Sequence, residues 1–179
     1  MNLSSAGRQI SPKSSREFIR TSCTSTTYPK LCFDSLSIHA GLIQTSPQLL
    51  AHAALNVTLS TAKSTTAMMV TLSKRHGLAP REVEAMQDCM EEMTDTIDEL
   101  RKSIKEMGQI NGPNSALIIN DIQTWVSAAL TDESTCSDGF QGSNMNGSLK
   151  TAVRSKIVTI AHLTSNALAL INNYASLHG

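Results

Sequence analysis

The sequence has 179 residues, with 15 lysines and arginines against 15 aspartates and glutamates, so its formal net charge is zero. That balance, with basic residues scattered along the chain, argues against nucleic-acid binding, because phosphate contacts require a concentrated basic face. A chain of this length can bury roughly two-thirds of its unfolded surface and needs no cofactor to complete its core. Aromatic residues make up only 3% of the chain, which is low for a β-sheet core and favours a helical fold.

Two stretches without charged residues, 35–62 and 157–179, are long enough to be tested as membrane spans. Both contain histidine, asparagine and hydroxyl side chains, which are costly in hydrocarbon, so we expect no membrane segment. The amino end lacks the basic and apolar regions of a signal peptide. The even number of cysteines and the glycosylation motifs at Asn56 and Asn146 nevertheless predict a secreted protein whose leader has already been removed.

Proline and glycine residues divide the chain into predicted helices, and Pro12, Pro29, Pro47, Pro80 and Pro113 each mark a start. Two short helices are predicted first, at 13–22 and 29–43. Four longer ones follow at 47–76, 80–107, 113–131 and 147–177, with a loop at 139–147. These lengths predict an all-α fold, an up-and-down four-helix bundle with an N-terminal helical hairpin. We divide the chain into a flexible N-terminus (1–12), the hairpin (13–45) and the bundle (46–179).

The second long helix carries an apolar seam whose members recur every three or four residues, as expected of a face packed on neighbouring helices. The seam consists of Val83, Met86, Met90, Met93, Ile97, Leu100, Ile104 and Met107. Methionine at such positions fills core gaps. We therefore expect all of these side chains in the core.

The opposite face of this helix carries a carboxylate ridge, formed by Glu84, Asp88, Glu91, Asp95 and Asp98, with Glu92 and Glu99 beside it. Residues 81–106 contain nine acidic and four basic residues, a net charge of −5. Like charges at these spacings cost roughly 0.2–0.5 kcal/mol per pair, so the ridge is not the most stable choice. Two interpretations remain open at this point, a solvated surface and a binding surface.

The four cysteines, Cys23, Cys32, Cys89 and Cys136, allow three disulfide connectivities, of which local pairing is the simplest. Cys136 is predicted to lie just after the third long helix. No cysteine or histidine cluster has zinc-site spacing, and no glutamate precedes a histidine at the spacing of a di-iron bundle. Motifs for nucleophilic catalysis and phosphate binding are also missing. We therefore expect no enzyme, no metal and no cofactor, and the remaining interpretation is a rigid helical binding module.

Four segments of the chain, taken in order, resemble the plant invertase and pectin methylesterase inhibitor family. They are SREFIRTSCTSTTYPKLCFDSL, MQDCMEEMTDTIDELRKSI, DIQTWVSAALTDESTCSDGF and SNALALINNY, and the resemblance covers about residues 15–177. It implies a secreted cell-wall protein with a four-helix bundle, a protruding hairpin and no catalytic activity. It also implies the disulfides Cys23–Cys32 and Cys89–Cys136.

Members of this family form one-to-one complexes with pectin methylesterase or with acid invertase. In the esterase-inhibiting branch, the acidic helix and the helix after it cover the pectin-binding cleft of the enzyme. The residues at matching positions, which the resemblance implies as partner contacts, are Glu91, Asp95, Asp98, Gln123, Ser127 and Thr135. The resemblance thus favours the binding interpretation of the carboxylate ridge.

The invertase-inhibiting branch carries a Pro-Lys-Phe motif, whereas this chain has Tyr28-Pro29-Lys30-Leu31 in the hairpin. This difference favours plant pectin methylesterase as the partner, with acid invertase as the alternative. The same domain occurs as the pro-region of some pectin methylesterases, and because no esterase domain follows here, we expect a free inhibitor, monomeric and located in the apoplast or cell wall. A structural or ligand-carrying bundle is the competing interpretation from another class.

Overall fold

The computed structural model describes residues 10–142 and 147–178, and every regular element within these ranges is a helix. The elements are α1 (Pro12–Cys23), α2 (Pro29–Leu36), a 3-10 turn (Ser37–His39), α3 (Ala40–Ile43), α4 (Pro47–Ser73), α5 (Pro80–Met107), α6 (Ser115–Asp138) and α7 (Gly147–His178). The predicted all-α fold is therefore confirmed. Asn146 and most of the predicted flexible N-terminus lie outside the described residues.

Proline fixes the starts of most of these helices. It occupies the first turn of α1, α2, α4 and α5, where its restricted φ fits and its missing N–H is not needed. Ser11 and Ser46 complete two of these starts, because their hydroxyls accept hydrogen bonds from the backbone N–H groups of Ser14 and Leu49. Pro113 lies two residues before α6, so it precedes that helix rather than opening it.

Two of the predicted helices end earlier than expected. The segment 29–43 is not one helix, because the backbone leaves regular helical geometry at Leu36 (φ −103°) and His39 (φ −101°), on either side of the 3-10 turn. Helix α4 stops at Ser73, three residues before the predicted end. The chain then turns at Gly77, whose φ of 82° lies in the left-handed region that glycine tolerates.

Helix α6 continues to Asp138, well beyond the predicted end at residue 131. Its last two turns are polar in sequence, yet Glu133 and Cys136 remain on the buried face. Cys136 therefore lies in the last turn of α6, and the prediction that it follows the helix is wrong. It forms a disulfide with Cys89 of α5, which joins the two helices covalently.

The four long helices form a ring in which α4 packs on α5, α5 on α6, α6 on α7 and α7 on α4. Fully buried side chains from all four fill its centre, among them Leu55, Met69, Met93, Leu100, Ile122 and Ile157. Burying one such side chain contributes roughly 1.5–3 kcal/mol. None of the helices in the described residues has the length and apolarity needed to cross a membrane.

The core face of α5 is rotated relative to the predicted seam. Met86, Met93, Leu100 and Met107 are buried, and Met90, Ile97 and Ile104 are half-buried. Val83 is 40% exposed, so its assignment to the core is wrong. The buried stripe also contains the small side chains of Cys89, Thr96 and Ser103. It is therefore centred closer to α6, and Val83 lies outside its edge.

The hairpin is fastened to α7 at its turn. The backbone N–H of Tyr28 donates to Asn166 Oδ1 (3.1 Å), and Asn166 Nδ2 donates to the Tyr28 carbonyl (3.0 Å). The Tyr28 ring stacks on His162 with the ring centroids 3.6 Å apart. A disulfide between Cys23 and Cys32 links α1 to α2. Both disulfides are the pairs that the family resemblance implies.

Candidate binding face on α5 and α6

Charge is divided unevenly among the helices of the bundle. Helix α5 carries nine acidic and four basic residues, and α6 carries four acidic residues and no basic residue. Helices α4 and α7 together contain four basic residues and no acidic residue. Because α5 and α6 are neighbours in the ring, a chain of zero net charge has one strongly acidic side.

All five side chains of the carboxylate ridge are exposed on α5. Asp98 lies 3.7 Å from Arg101, with both side chains more than half exposed. Within the described residues, none of the other ridge carboxylates has a basic group within ion-pair distance. The predicted contact residues Glu91 and Asp95 are therefore free to meet a positively charged partner.

A second set of carboxylates lies deeper on α5 and α6, and we call Glu92, Glu99, Asp132 and Glu133 the inner carboxylates. Asp132 of α6 faces Glu92 and Glu99 of α5, and Glu133 faces α7. The pKa of Glu99 is raised to about 7, chiefly by burial and then by the neighbouring Asp132 through charge repulsion and a hydrogen bond between the two carboxyl groups, while Lys102 opposes the shift. The pKa of Glu92 is raised by burial and by Asp132 in the same way. One buried oxygen each of Glu99 and Asp132 accepts no hydrogen bond from the described residues.

Glu133 is the most deeply buried inner carboxylate, with its side chain fully enclosed between α6 and α7. Its pKa is raised to about 8, chiefly by burial and also by the charges of Asp132 and Glu99, against the effect of the hydrogen bond that the Thr164 hydroxyl donates to Oε1 (2.7 Å). At neutral pH, therefore, Glu133 holds a proton.

The inner carboxylates do not form a metal centre. In residues 10–142 and 147–178, no three histidine, cysteine, aspartate or glutamate side chains converge in a way that could hold a metal ion. Buried carboxylates that lie close together lower their repulsion by binding protons. The cluster is therefore a proton-binding feature under the acidic surface.

The structure brings two of the predicted contact residues together. Glu91 of α5 and Thr135 of α6 line one depression of about 240 Å³, which Asp88 borders and the Cys89–Cys136 disulfide underlies. The disulfide holds the two helices at this point, so the relative positions of Glu91 and Thr135 are fixed. This depression is the best-defined part of the acidic side.

The two remaining contact residues occupy different positions on α6. Ser127 is exposed on the outer face of the helix. Gln123 is only partly exposed and donates a hydrogen bond from Nε2 to Asn172 Oδ1 of α7 (2.8 Å). Because its amide is already engaged on the side away from α5, Gln123 is separate from the cluster around Glu91 and Thr135.

Comparison with known proteins agrees with this architecture. The sequence profile described as plant invertase/pectin methylesterase inhibitor matches residues 17–170. The chain belongs to this family. It is 46% identical over 165 residues to the "21 kDa protein" of Daucus carota, covering 90% of this chain and 86% of the relative. It is also 46% identical over 170 residues to pectinesterase inhibitor 11 of Arabidopsis thaliana, covering 93% and 84% of the two chains.

A solved member of the inhibitor family supports the fold. The crystal structure of a mutant form of a pectin methylesterase inhibitor from Arabidopsis matches with a TM-score of 0.70 at 23% identity, covering 86% of this chain and 95% of that one. At that identity the likeness concerns the arrangement of the helices. It shows that the two chains share a helical-bundle fold.

Sequence reasoning missed a row of hydroxyl side chains on the outer face of α6. Besides Ser127 and Thr135, the exposed members are Thr124, Thr131 and Ser134. Each of these hydroxyls except that of Ser127 donates to the backbone carbonyl four residues earlier, so its oxygen remains able to accept a hydrogen bond. Thr124, Ser127, Thr131 and Ser134 are separated by three, four and three residues. This helical spacing could have revealed the hydroxyl row from the sequence.

Proposed function

We propose that this protein is a secreted inhibitor of pectin methylesterase that acts in the cell wall. In this proposal it binds the enzyme as a monomer, in a one-to-one complex, with the α5 and α6 face over the pectin-binding cleft. It thereby regulates the de-esterification of wall pectin and performs no catalysis itself. The observation that supports the proposal is the acidic side of the bundle, which includes Glu91, Asp95 and Asp98, three of the residues that the family resemblance implies as partner contacts.

The chemistry of this face suits a cleft that binds an anionic polymer. Exposed carboxylates can occupy positions that the carboxylates of de-esterified pectin would otherwise take, and charge-assisted hydrogen bonds to basic groups are about twice as strong as neutral ones. A single-sign surface also steers a complementary partner and raises the association rate. The ridge lies on rigid helices, so little conformational freedom is lost on binding.

The hairpin offers less to acid invertase. Lys30, the cation of the Tyr28-Pro29-Lys30-Leu31 segment, is bonded to Asp34 one turn later on α2. It lies in the hairpin, separate from the acidic side, and a leucine follows it where the invertase-inhibiting branch has phenylalanine. The missing phenylalanine supports the esterase as the target.

A side-by-side titration tests the proposal. A plant pectin methylesterase and a plant acid invertase are each incubated with increasing inhibitor at acidic, wall-like pH, and their residual activities are recorded. We expect esterase activity to fall to its minimum near one equivalent, with invertase activity unchanged. Loss of invertase activity alone, or no effect on either enzyme, would contradict the proposal.

A charge-reversal variant tests the binding face. Asp95→Lys is expected to weaken esterase inhibition about tenfold at low ionic strength, with a smaller effect in high salt because exposed charges are screened. Glu17→Lys in α1 changes the net charge equally at an exposed position away from the ridge, and it should inhibit like the unmodified protein. Equal inhibition by both variants would remove the ridge from the mechanism.

A further inference from the structure

A groove on the α4 side of the bundle is unusually apolar for an exposed surface. It has a volume of about 700 Å³ and lies between α4 and the segment formed by the 3-10 turn and α3. Ile38 and Leu42 on one wall are 79% and 78% exposed, the highest values for large apolar side chains in the described residues. Clustered exposed apolar side chains mark a surface that something covers.

The opposite wall of the groove carries a glycosylation motif, Asn56-Val57-Thr58. Asn56 is exposed on α4, and its side-chain amide makes no hydrogen bond within the described residues. A saccharide attached there would start at the edge of the groove. The glycosylation motif at Asn146 begins outside the described residues. Asn56 is therefore the glycosylation candidate whose surroundings the structure describes.

The burial of Thr58 determines whether Asn56 is modified before or after the protein folds. Its side chain is fully buried, and its hydroxyl donates to the Ala54 carbonyl (2.8 Å) within α4. A transferase that must contact the threonine of the motif cannot reach it in the folded helix. Modification therefore has to precede the folding of α4, as it does for a chain that is modified while it enters the secretory pathway.

We propose that Asn56 carries an N-linked glycan whose first sugars lie in this groove and cover Ile38 and Leu42. The C–H faces of a sugar ring can pack on the aliphatic side chains, and its hydroxyls can bond to His39 and His52, which line the same groove. Covalent attachment at the rim gives the saccharide a high local concentration there. The inference rests on the proposed secretion of the protein and not on the identity of the enzyme it inhibits.

The test uses the full chain secreted from plant cells. Its mass is measured before and after treatment with a peptide N-glycosidase, alongside Asn56→Gln and Thr58→Val, which remove the motif through different residues, and Thr58→Ser, which keeps it. We expect a glycan on the peptide that contains Asn56, its loss in the first two variants and its retention in the third. An unmodified Asn56 in the secreted protein would overturn the proposal.

A second measurement locates the glycan. Diethyl pyrocarbonate should modify His39 and His52 severalfold more slowly in the glycosylated protein than in Asn56→Gln, whereas exposed His76, outside the groove, should react at the same rate in both. Equal rates at His39 and His52 would place the glycan outside the groove and refute the covering role. Esterase inhibition, measured on the same samples, separates the two proposals, because a glycosylated protein without inhibition would contradict only the proposed function.

Discussion

The bundle consists of two pairs of neighbouring helices that differ in charge. Helices α4 and α7 carry four basic and no acidic residues and contribute long apolar side chains to the core. Helices α5 and α6 carry thirteen acidic and four basic residues, enclose the inner carboxylates and are the pair joined by a disulfide. The same scaffold thus contains a conventional packed half and a half with uncompensated charge.

The difference shows how a stable bundle can carry a charged binding face. Each close pair of like charges on a helix costs roughly 0.2–0.5 kcal/mol. The Cys89–Cys136 disulfide closes a loop with a sequence separation of 47. In the chain-entropy account, closing a loop of that length stabilises the fold by roughly 4 kcal/mol. The covalent link lies in the half where the repulsion is concentrated, so it can offset the cost of several repulsive pairs without neutralising the surface.

The largest effect is expected from removing that link. In a Cys89→Ala, Cys136→Ala double variant, the free energy of unfolding measured in urea should fall by about 4 kcal/mol. The pair Cys23→Ala, Cys32→Ala spans a sequence separation of 9 instead of 47 and should cost less, about 3 kcal/mol. A larger loss from the hairpin pair would contradict the assignment of the main covalent support to α5 and α6.

The packed half should respond most to loss of apolar volume. Leu55 of α4 is fully buried, and Leu55→Ala is expected to lower the free energy of unfolding by about 3 kcal/mol, from lost burial and a residual cavity. The matched control is Leu55→Met, which keeps the volume and should cost less than about 1.5 kcal/mol. Similar losses for the two variants would show that packing is not the main support of this half.

Acidity should stabilise the charged half. The pKa of Glu133 is raised from 4.5 to about 8 by burial, so the folded state binds a proton that the unfolded chain releases. That contribution is complete below about pH 4.5 and is lost as the pH rises through about 8. From Glu133 alone, the free energy of unfolding should be about 2 kcal/mol lower at pH 7 than at pH 5.5.

The control for this pH dependence is an uncharged isostere. Glu133→Gln keeps the shape of the side chain and an acceptor for Thr164, so unfolding curves across this pH range should show a smaller slope. Glu84→Gln on the exposed ridge should retain the full slope. An unchanged slope in Glu133→Gln would mean that this carboxyl does not hold the proton.

The smallest expected effect has the opposite sign. Removing one ridge charge, as in Asp95→Asn, should stabilise the free protein by about 0.3 kcal/mol at low ionic strength, because repulsion along α5 decreases. The gain should disappear in high salt. Lys156→Gln, which removes an exposed charge from α7, should give no such gain. Destabilisation by Asp95→Asn would contradict the view that repulsion among the ridge carboxylates lowers the free energy of unfolding.

The sequence alone predicted those features that depend on short-range patterns. Prolines 12, 29, 47 and 80 marked true helix starts because the φ of proline and its lack of an N–H act locally. The carboxylate ridge was also predictable, since exposure of charged side chains follows from helical periodicity alone. The end of α6 was predicted wrongly because it depends on long-range contacts. Its last two turns are polar in sequence, and they are helical because Glu133 and Cys136 are buried against neighbouring helices.

The inner carboxylates could not be predicted because they depend on the pairing of two helices. Asp132 and Glu133 are adjacent acidic residues, yet only Glu133 is fully buried. Thr96 and Ser103 joined the buried stripe because small side chains fit where α5 approaches α6. Polar residues are mostly exposed in folded proteins. Their burial here depends on contacts with the neighbouring helix, which the sequence of one helix does not show.

The anchoring of the hairpin has a consequence for folding. Tyr28 and Asn166, which exchange two hydrogen bonds, are 138 residues apart in sequence. A ribosome therefore releases the hairpin long before it has synthesised the helix that holds it in place. Contacts of such sequence separation form late and slow the folding of a domain. The hairpin is consequently made well before it can reach its final position, and until then the Cys23–Cys32 disulfide and the packing of α1 on α2 keep its two helices together.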